Sequence, residues 1–349
     1  MAIIGGFDLH RKQITFDYVD TESGEISAGQ IRPATRAVLR QWLGRFKDAP
    51  HVAFAVEACT GWRFAAEELH RAGVEPHLAE PADTATLRGR KKRAKTDRAD
   101  ARHLRDLLVQ QRLPEAWIPP RHVLEARTLA RLYIALIQER TGWQQRIHAQ
   151  LYHQGVPEVT DLRSAEGRAA AAAAELSSAG QQVVAIALSA VARLDEQLVP
   201  LRRQLEAIGT RQPAVVRLRR HFGIGRLLDT IIWAELGDCR RFSNSGQAVR
   251  FAGLDVTVWS SDAKRARGHL ARQGSPELRW ALFEAAKCAH RTTAPDYAAY
   301  VALRDRLDST LATLTIARKL VRRCYHDLRE LDPAVWQSPP ADEPLYDAA

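Results

Sequence analysis

The sequence is poor in cysteine, holds a single methionine and has no long uninterrupted apolar run. Its 349 residues include four cysteines, scattered at 59, 239, 288 and 324. That scatter is neither a disulfide framework nor a set of zinc-ligand pairs, and it favours a reducing compartment. No stretch approaches the roughly 18 apolar residues that a membrane span needs. Even the alanines of 169–174 are closed in by Arg168 and Glu175. Asp8 and Arg11 interrupt the apolar start, which argues against a secretory core. The expectation is a cytoplasmic protein with no membrane partner. Acid is the scarcer charge, 41 Asp and Glu against 51 Lys and Arg, for a net charge of +10 and a pI near 9.7. That sign of imbalance suits a polyanionic partner and is silent about fold. The 46% hydrophobic content supports a sizeable core, and at about 150 residues per domain the length predicts two or three domains.

What is present begins as α/β. Ala2–Phe7, Gln13–Val19 and Glu25–Ile31 read as strands. Thr35–Phe46 carries Val38, Leu39, Trp42, Leu43 and Phe46 on one helical stripe. Val52–Val56 is an apolar run expected of a strand buried on both faces. A helix over Trp62–Arg71, stopped by Gly73, precedes a strand over Val74–Leu78. Three strands, helix, strand, helix, strand is the order of a ribonuclease-H-like domain, placed at residues 1–112.

Residues 113–212 read as helical. One helix is predicted over about 122–154. Over 184–208, Val184, Val191, Leu198 and Leu205 recur every seventh residue, with Ala187, Leu194, Leu201 and Ile208 in the alternate positions. That is coiled-coil spacing, with a kink expected at Pro200. The stripe suits either self-association or a hairpin against 122–154. A mostly helical domain is predicted over 213–332, and a loose tail over 333–349.

Two constellations carry chemistry. Asp8 ends the first strand and Glu57 ends the Val52–Val56 strand. In an α/β sheet the ends of adjacent parallel strands come together. Asp97 and Asp100, three apart, share one face of a helix predicted over 97–111. Four carboxylates so gathered could bind two magnesium ions, which would polarise a phosphodiester. Alternatively, Asp97 and Asp100 cap their helix and pair with Arg98 or Arg102. Asp17, Asp20, Glu67, Glu68 and Asp106 are set aside as hairpin or helix-surface residues. Arg88, Arg90, Lys91, Lys92, Arg93, Lys95 and Arg98 crowd seven positive charges into eleven residues, a run that suits a phosphate backbone beside the acids. Farther on, Ser260 and Ser261 precede Asp262, Lys264, Arg265 and Arg267. Hydroxyls among such cations could attack a phosphodiester, or form an ordinary polar loop. Arg220, in another basic segment, is a further candidate nucleic-acid contact.

The whole chain from Ile4 to Leu331 resembles DEDD-type insertion-sequence transposases. The resemblance is carried by GFDLH at 6–10, FAVEACTG at 54–61, KTDRADARHL at 95–104, HFGIGRLLDTIIWAELGD at 221–238, RFAGLDVTVWSSD at 250–262 and RQGSPELRWALFEAA at 272–286. It implies a RuvC-like N-terminal domain, a coiled-coil linker at 113–212 and a C-terminal transposase domain bearing a catalytic serine. Asp8, Glu57, Asp97 and Asp100 match the family's metal-binding tetrad. Its serine pattern, Tyr-x-Ser-Gly, falls on Trp259-Ser260-Ser261 and points to Ser261. Asp262 stands where the pattern has glycine, so Ser260 stays open. The resemblance further implies a phosphoserine–DNA intermediate, donor and target DNA as substrates, a guiding bridge RNA, a dimer assembling to a tetramer, and association with the nucleoid. Two other functions stay open on the residues alone: a magnesium-dependent nuclease or junction resolvase using water, and a non-catalytic nucleic-acid binder.

Overall fold

The computed structural model describes residues 2–88, 96–157, 161–257, 260–261, 264–265, 268–271 and 273–337; for 257, 260, 261, 264, 265 and 269 it describes the backbone alone. The chain divides into two compact units, 1–118 and 119–349.

The first unit is a mixed sheet covered by helices. Its elements are β1 (Ala2–Leu9), β2 (Ile14–Asp20), β3 (Ile26–Ile31), α1 (Arg36–Leu43), β4 (His51–Glu57), α2 (Trp62–Arg71), β5 (Glu75–Ala79), α3 (Pro81–Thr86), α4 (Asp97–Val109) and β6 (Glu115–Ala116). The sheet order is β3-β2-β1-β4-β5-β6. β1 to β3 form an antiparallel meander, β4 and β5 run parallel to β1, and β6 closes the edge antiparallel. The expected strand and helix order is therefore present, extended by β6. Because β6 pairs with β5, this unit reaches past the expected boundary at 112.

The two sheet faces differ in side-chain size. On one, Phe7, Phe16, Trp42, Phe46 and Phe54 pack with α1 and α2. Phe7 stacks on Phe54 at 4.5 Å and Phe16 lies 4.7 Å from Trp42, centroid to centroid. Each such buried ring contributes about 1.5–3 kcal/mol. The other face is lined by small residues, and α4 lies across β1, β2 and β4 there. A Cβ on Gly6 would stand 2.2 Å from the Ala101 carbonyl oxygen and 2.8 Å from the Arg105 nitrogen. Glycine at position 6 is what lets α4 approach so closely. Asp17, fully buried, is held there by Arg105 and, at 3.5 Å, by Arg102.

The second unit is mostly helical. It comprises α5 (Arg121–His153), α6 (Ala165–Ala172), α7 (Ser178–Thr210), α8 (Pro213–Leu218), α9 (Arg226–Leu236), α10 (Ser245–Phe251), α11 (Pro276–Lys287), α12 (Tyr297–Arg306) and α13 (Ser309–Arg329). Between α10 and α11 lie two short ribbons built from β7 (Val256–Thr257), β8 (Ser260–Ser261), β9 (Lys264–Arg265) and β10 (His269–Leu270). The heptad stripe of α7 is buried from Val184 to Leu205, with Ile208 only half-buried. α5 packs along it and α9 also lies against α7. Residues of the same chain therefore fill the seam, in the hairpin arrangement. α7 continues as one helix past Pro200. Residues 113–212 and 213–332 share one compact unit from 119 onward, because the long helices and the helical bundle bury a common surface. The four cysteines are free, and burial pushes the Cys239 thiol up to about 12. Among the described residues, no helix is long and apolar enough to cross a membrane.

Candidate active site

The site forms at the carboxyl ends of β1 and β4. Phe7 pairs with Val56 and Gly6 with Ala55. Side chains alternate along a strand. Phe7, Phe54 and Val56 therefore enter the aromatic core, while Gly6 and Ala55 face α4. Two residues further on, Asp8 and Glu57 share that face on neighbouring strands. The first turn of α4 brings Asp97 and Asp100. Thr96 caps this helix by accepting from the Ala99 N–H at 3.2 Å, so capping is done by a hydroxyl and not by either acid. Arg102 pairs with Asp17 instead. The two acids also lie at the positive end of the helix dipole.

Asp8 is buried, and its Oδ2 accepts no hydrogen bond. His10 Nε2 lies 3.1 Å from that oxygen and 3.4 Å from Asp97 Oδ1. Burial pushes the Asp8 carboxyl above its ordinary value; His10 opposes this, while Asp97 and Asp100 add to it. Gln13 donates to Asp97 Oδ2 at 3.1 Å and is itself held by Arg32. Arg88 donates to Asp100 Oδ1 at 2.6 Å.

This donor set fits a divalent cation. A buried carboxylate oxygen lacks a hydrogen-bond partner, like charges gather round it, and the ligand atoms of Asp8, His10 and Asp97 all lie within 4.8 Å of one another. Carboxylates so placed are relieved by a hard cation. The side chains of Asp8 and Asp97 come together with His10; Asp100 is near enough to act on the Asp8 carboxyl by its charge, and Glu57 is placed beside Asp8 by backbone register alone. Sequence reasoning missed His10, Gln13 and Arg32. The only signal for His10 was its place two residues after Asp8, where the strand ends.

Of the basic residues singled out in the sequence, Arg88 is turned onto Asp100 and Arg98 is exposed. Arg220 is engaged by Asp327, which also takes His221 at 2.7 Å. Arg90, Lys91, Lys92, Arg93, Lys95 and Arg267 lie outside the described residues, as do Trp259 and Asp262.

The serines belong to the excursion between α10 and α11. Backbone register sets Ser260 opposite Arg265 and Ser261 opposite Lys264. The base of the excursion is fixed in the helical core: Arg318 of α13 donates to the Leu254 carbonyl at 2.5 Å, and the Ala271 N–H reaches the Asp255 carbonyl at 3.0 Å. On the return path Gly274 has φ +99°, and a Cβ there would stand 2.1 Å from the Phe251 carbonyl oxygen. Only glycine fits that conformation without strain.

Comparison with known proteins finds transposases. Residues 5–154 match a DEDD transposase family model described as "Transposase". Residues 216–302 match one described as "Transposase IS116/IS110/IS902 family". The chain is similar to "Putative transposase y4rJ" of Sinorhizobium fredii, 28% identical over 247 residues, covering 62% of this chain and 60% of that protein. It is also similar to "Probable family 20 transposase" of Pseudomonas aeruginosa, 23% identical over 307 residues, covering 83% and 86% respectively.

Proposed function

Because the chain belongs to the IS110 family of DEDD transposases, we propose that it is a DNA transposase that cleaves and rejoins the strands of a mobile element. The carrying observation is the convergence of Asp8, Asp97 and Asp100 from β1 and α4, with Glu57 in register beside them, around a buried carboxylate oxygen that accepts no hydrogen bond. The sheet order supports reading the first unit as RuvC-like.

In this reading Asp8, Glu57, Asp97 and Asp100 hold divalent cations, Mg2+ being the expected ion and two the expected number. Once bound, these ions polarise the scissile phosphate and stabilise the leaving oxygen. Ser261 supplies the nucleophile, with Ser260 as its alternative. Its Oγ gives up a proton and bonds to phosphorus. The departing deoxyribose oxygen takes up a proton, and the phosphoserine link conserves the bond energy needed for rejoining. Arg98 and the basic run 88–95 hold the strand, with Lys264, Arg265 and Arg267 beside the serines and Arg220 elsewhere in the second unit. Donor and target DNA are the substrates, a bridge RNA selects sites by pairing, and dimers assemble to tetramers. The net charge of +10 supports polyanionic partners of this kind. Such work belongs in the cytoplasm, on the nucleoid.

The test uses RNA copurified with the protein, sequenced and returned to a donor–target recombination assay with Mg2+. Asp8→Asn is expected to abolish strand cleavage. Ser261→Ala is expected to eliminate the covalent protein–DNA adduct while Ser260→Ala retains it. The reverse result moves the nucleophile to Ser260. Cleavage that survives both serine substitutions makes water the nucleophile and ends the serine reading.

A further inference from the structure

We propose that His10 is a nitrogen ligand of the cation held by Asp8 and Asp97, and that it gives the site a preference for Mn2+ over Mg2+. This rests on the acid-site reading above and goes beyond a tetrad of carboxylates.

The argument is geometric. His10 follows the end of β1, and its backbone N–H donates to the Gln13 carbonyl at 2.9 Å, which closes the turn into β2. That turn brings the imidazole over the strand end and toward α4. Nε2 lies 3.1 Å from Asp8 Oδ2 and 3.4 Å from Asp97 Oδ1. In an octahedral site with bonds of about 2.1 Å, adjacent ligand atoms stand roughly 3 Å apart. Both separations are close to such an edge, and the third side of the triangle is within 4.8 Å.

His10 Nε2 makes a close polar contact with the buried Asp8 Oδ2 at 3.1 Å, and the same ring nitrogen lies 3.4 Å from Asp97 Oδ1. The three atoms are near enough to one another for a single cation to take all of them as ligands. The imidazole side chain is 53% exposed, so one side of the site stays open to solvent and substrate.

The chemistry follows from the donor set. Carboxylates alone suit hard ions such as Mg2+, whereas a neutral imidazole adds affinity for first-row transition cations. Bound through Nε2, the ring carries its proton on Nδ1.

The test loads the full-length protein with Mn2+ and records pulsed electron paramagnetic resonance, in which a directly bound nitrogen modulates the echo. Mg2+ competition then gives the ratio of affinities. The wild type is expected to show nitrogen modulation. His10→Ala is expected to lose it and to reduce the preference for Mn2+ by about tenfold or more. His10→Gln, which keeps a polar side chain without a ring, is expected to do the same. Mn2+ bound in the wild type without nitrogen modulation, or modulation retained in His10→Ala, overturns the assignment to His10 while leaving the acid site intact. Asp8→Asn separates the two readings, since it is expected to weaken both ions. Mn2+ binding that ignores Asp8→Asn, or is absent from the wild type, overturns the acid site and this proposal with it.

Discussion

The two units handle buried acid differently. Among the described residues of the helical unit, the buried acids Asp229, Glu235 and Asp327 each meet a guanidinium. Glu235, 1% exposed, takes Arg131 through both oxygens at 2.9 and 3.1 Å and accepts from the Ser275 hydroxyl at 3.1 Å. Asp327 is held by Arg220 and His221. Asp229 has Arg219 at 2.7 Å, although burial still pushes its carboxyl up. The first unit uses the same device away from the site, where Glu68 joins Arg36, Arg40 and Arg71 to tie α1 to α2. At the end of β1 the device stops. Asp8 is buried with Asp97 and Asp100 for neighbours and a half-exposed histidine, not a guanidinium, as its nearest partner. An acid matched by arginine is scaffold. An acid left among acids is a site held at some cost in stability.

The largest effects should separate these two classes. Asp8→Asn removes a buried charge that the fold disfavours. It should lower strand cleavage by roughly a hundredfold to a thousandfold and raise stability in urea unfolding by about 1 kcal/mol without divalent cations. Glu235→Ala should cost about 3 kcal/mol, since it takes the partner from Arg131 and Ser275. If both substitutions destabilise alike, the distinction between scaffold and site acids is lost.

Gly6→Ala comes next and alters no charged group. Its Cβ would meet the Ala101 carbonyl at 2.2 Å, so α4 must move off β1, at about 2 kcal/mol. Divalent-cation affinity should fall with it, because Asp97 and Asp100 ride on α4. Gly44→Ala is the control, as a Cβ there meets nothing within 4 Å; its effect should stay within about 0.5 kcal/mol. Equal cation affinity in Gly6→Ala and wild type would show that α4 placement does not set the site.

Much of this was legible because period and punctuation carry it. The first five strands and α1, α2 and α4 follow alternation, helical stripes and glycine stops. Asp8 and Glu57 follow from lying at strand ends. The heptads showed that α7 has an apolar stripe but not what fills it, because a stripe reads the same against α5 as against a second chain. Asp17 and Glu68 looked like surface residues, since a lone acid in a sequence gives no sign of a partner 88 or 28 positions away. His10, Gln13 and Arg32 meet the site through hairpin register, and Gln13 reaches Asp97 across 84 positions. Within the helical domain expected over 213–332, the last two helices part at Leu307, where Asp308 caps α13 by accepting from the Leu311 N–H.

Acid titration should split the two classes by sign. Burial raises the Glu68 carboxyl, but hydrogen bonds from Arg40 and Arg36 outweigh it and hold the pKa below the ordinary 4.5. Stability from Glu68 is therefore present above pH 4.5 and lost as pH falls through the depressed value. Asp8 runs the other way. Its raised pKa gives a contribution present below 3.8 and lost as pH rises through the folded value. Unfolding curves from pH 3 upward, without divalent cations, should show Glu68→Gln flattening the acid limb and Asp8→Asn flattening a loss at higher pH. The same sign for both would break the comparison.

The smallest effect concerns Arg88, which belongs to both classes. Its guanidinium is 2.6 Å from Asp100 Oδ1, as a scaffold arginine would be, yet the acid is one of the four proposed to hold the cations. The side chain is 34% exposed, so the pair is worth only about 0.5–1 kcal/mol. A divalent cation at Asp100 competes with that guanidinium, and Arg88→Gln should tighten cation binding about threefold. If Arg88 moves to the DNA backbone when the cation arrives, the same substitution should reduce the salt dependence of DNA binding by about one phosphate contact. Tighter cation binding with an unchanged salt slope would make Arg88 a stand-in cation and nothing more. With neither change, Asp100 would belong with the arginine-matched scaffold acids, and the site would narrow to Asp8, Glu57 and Asp97.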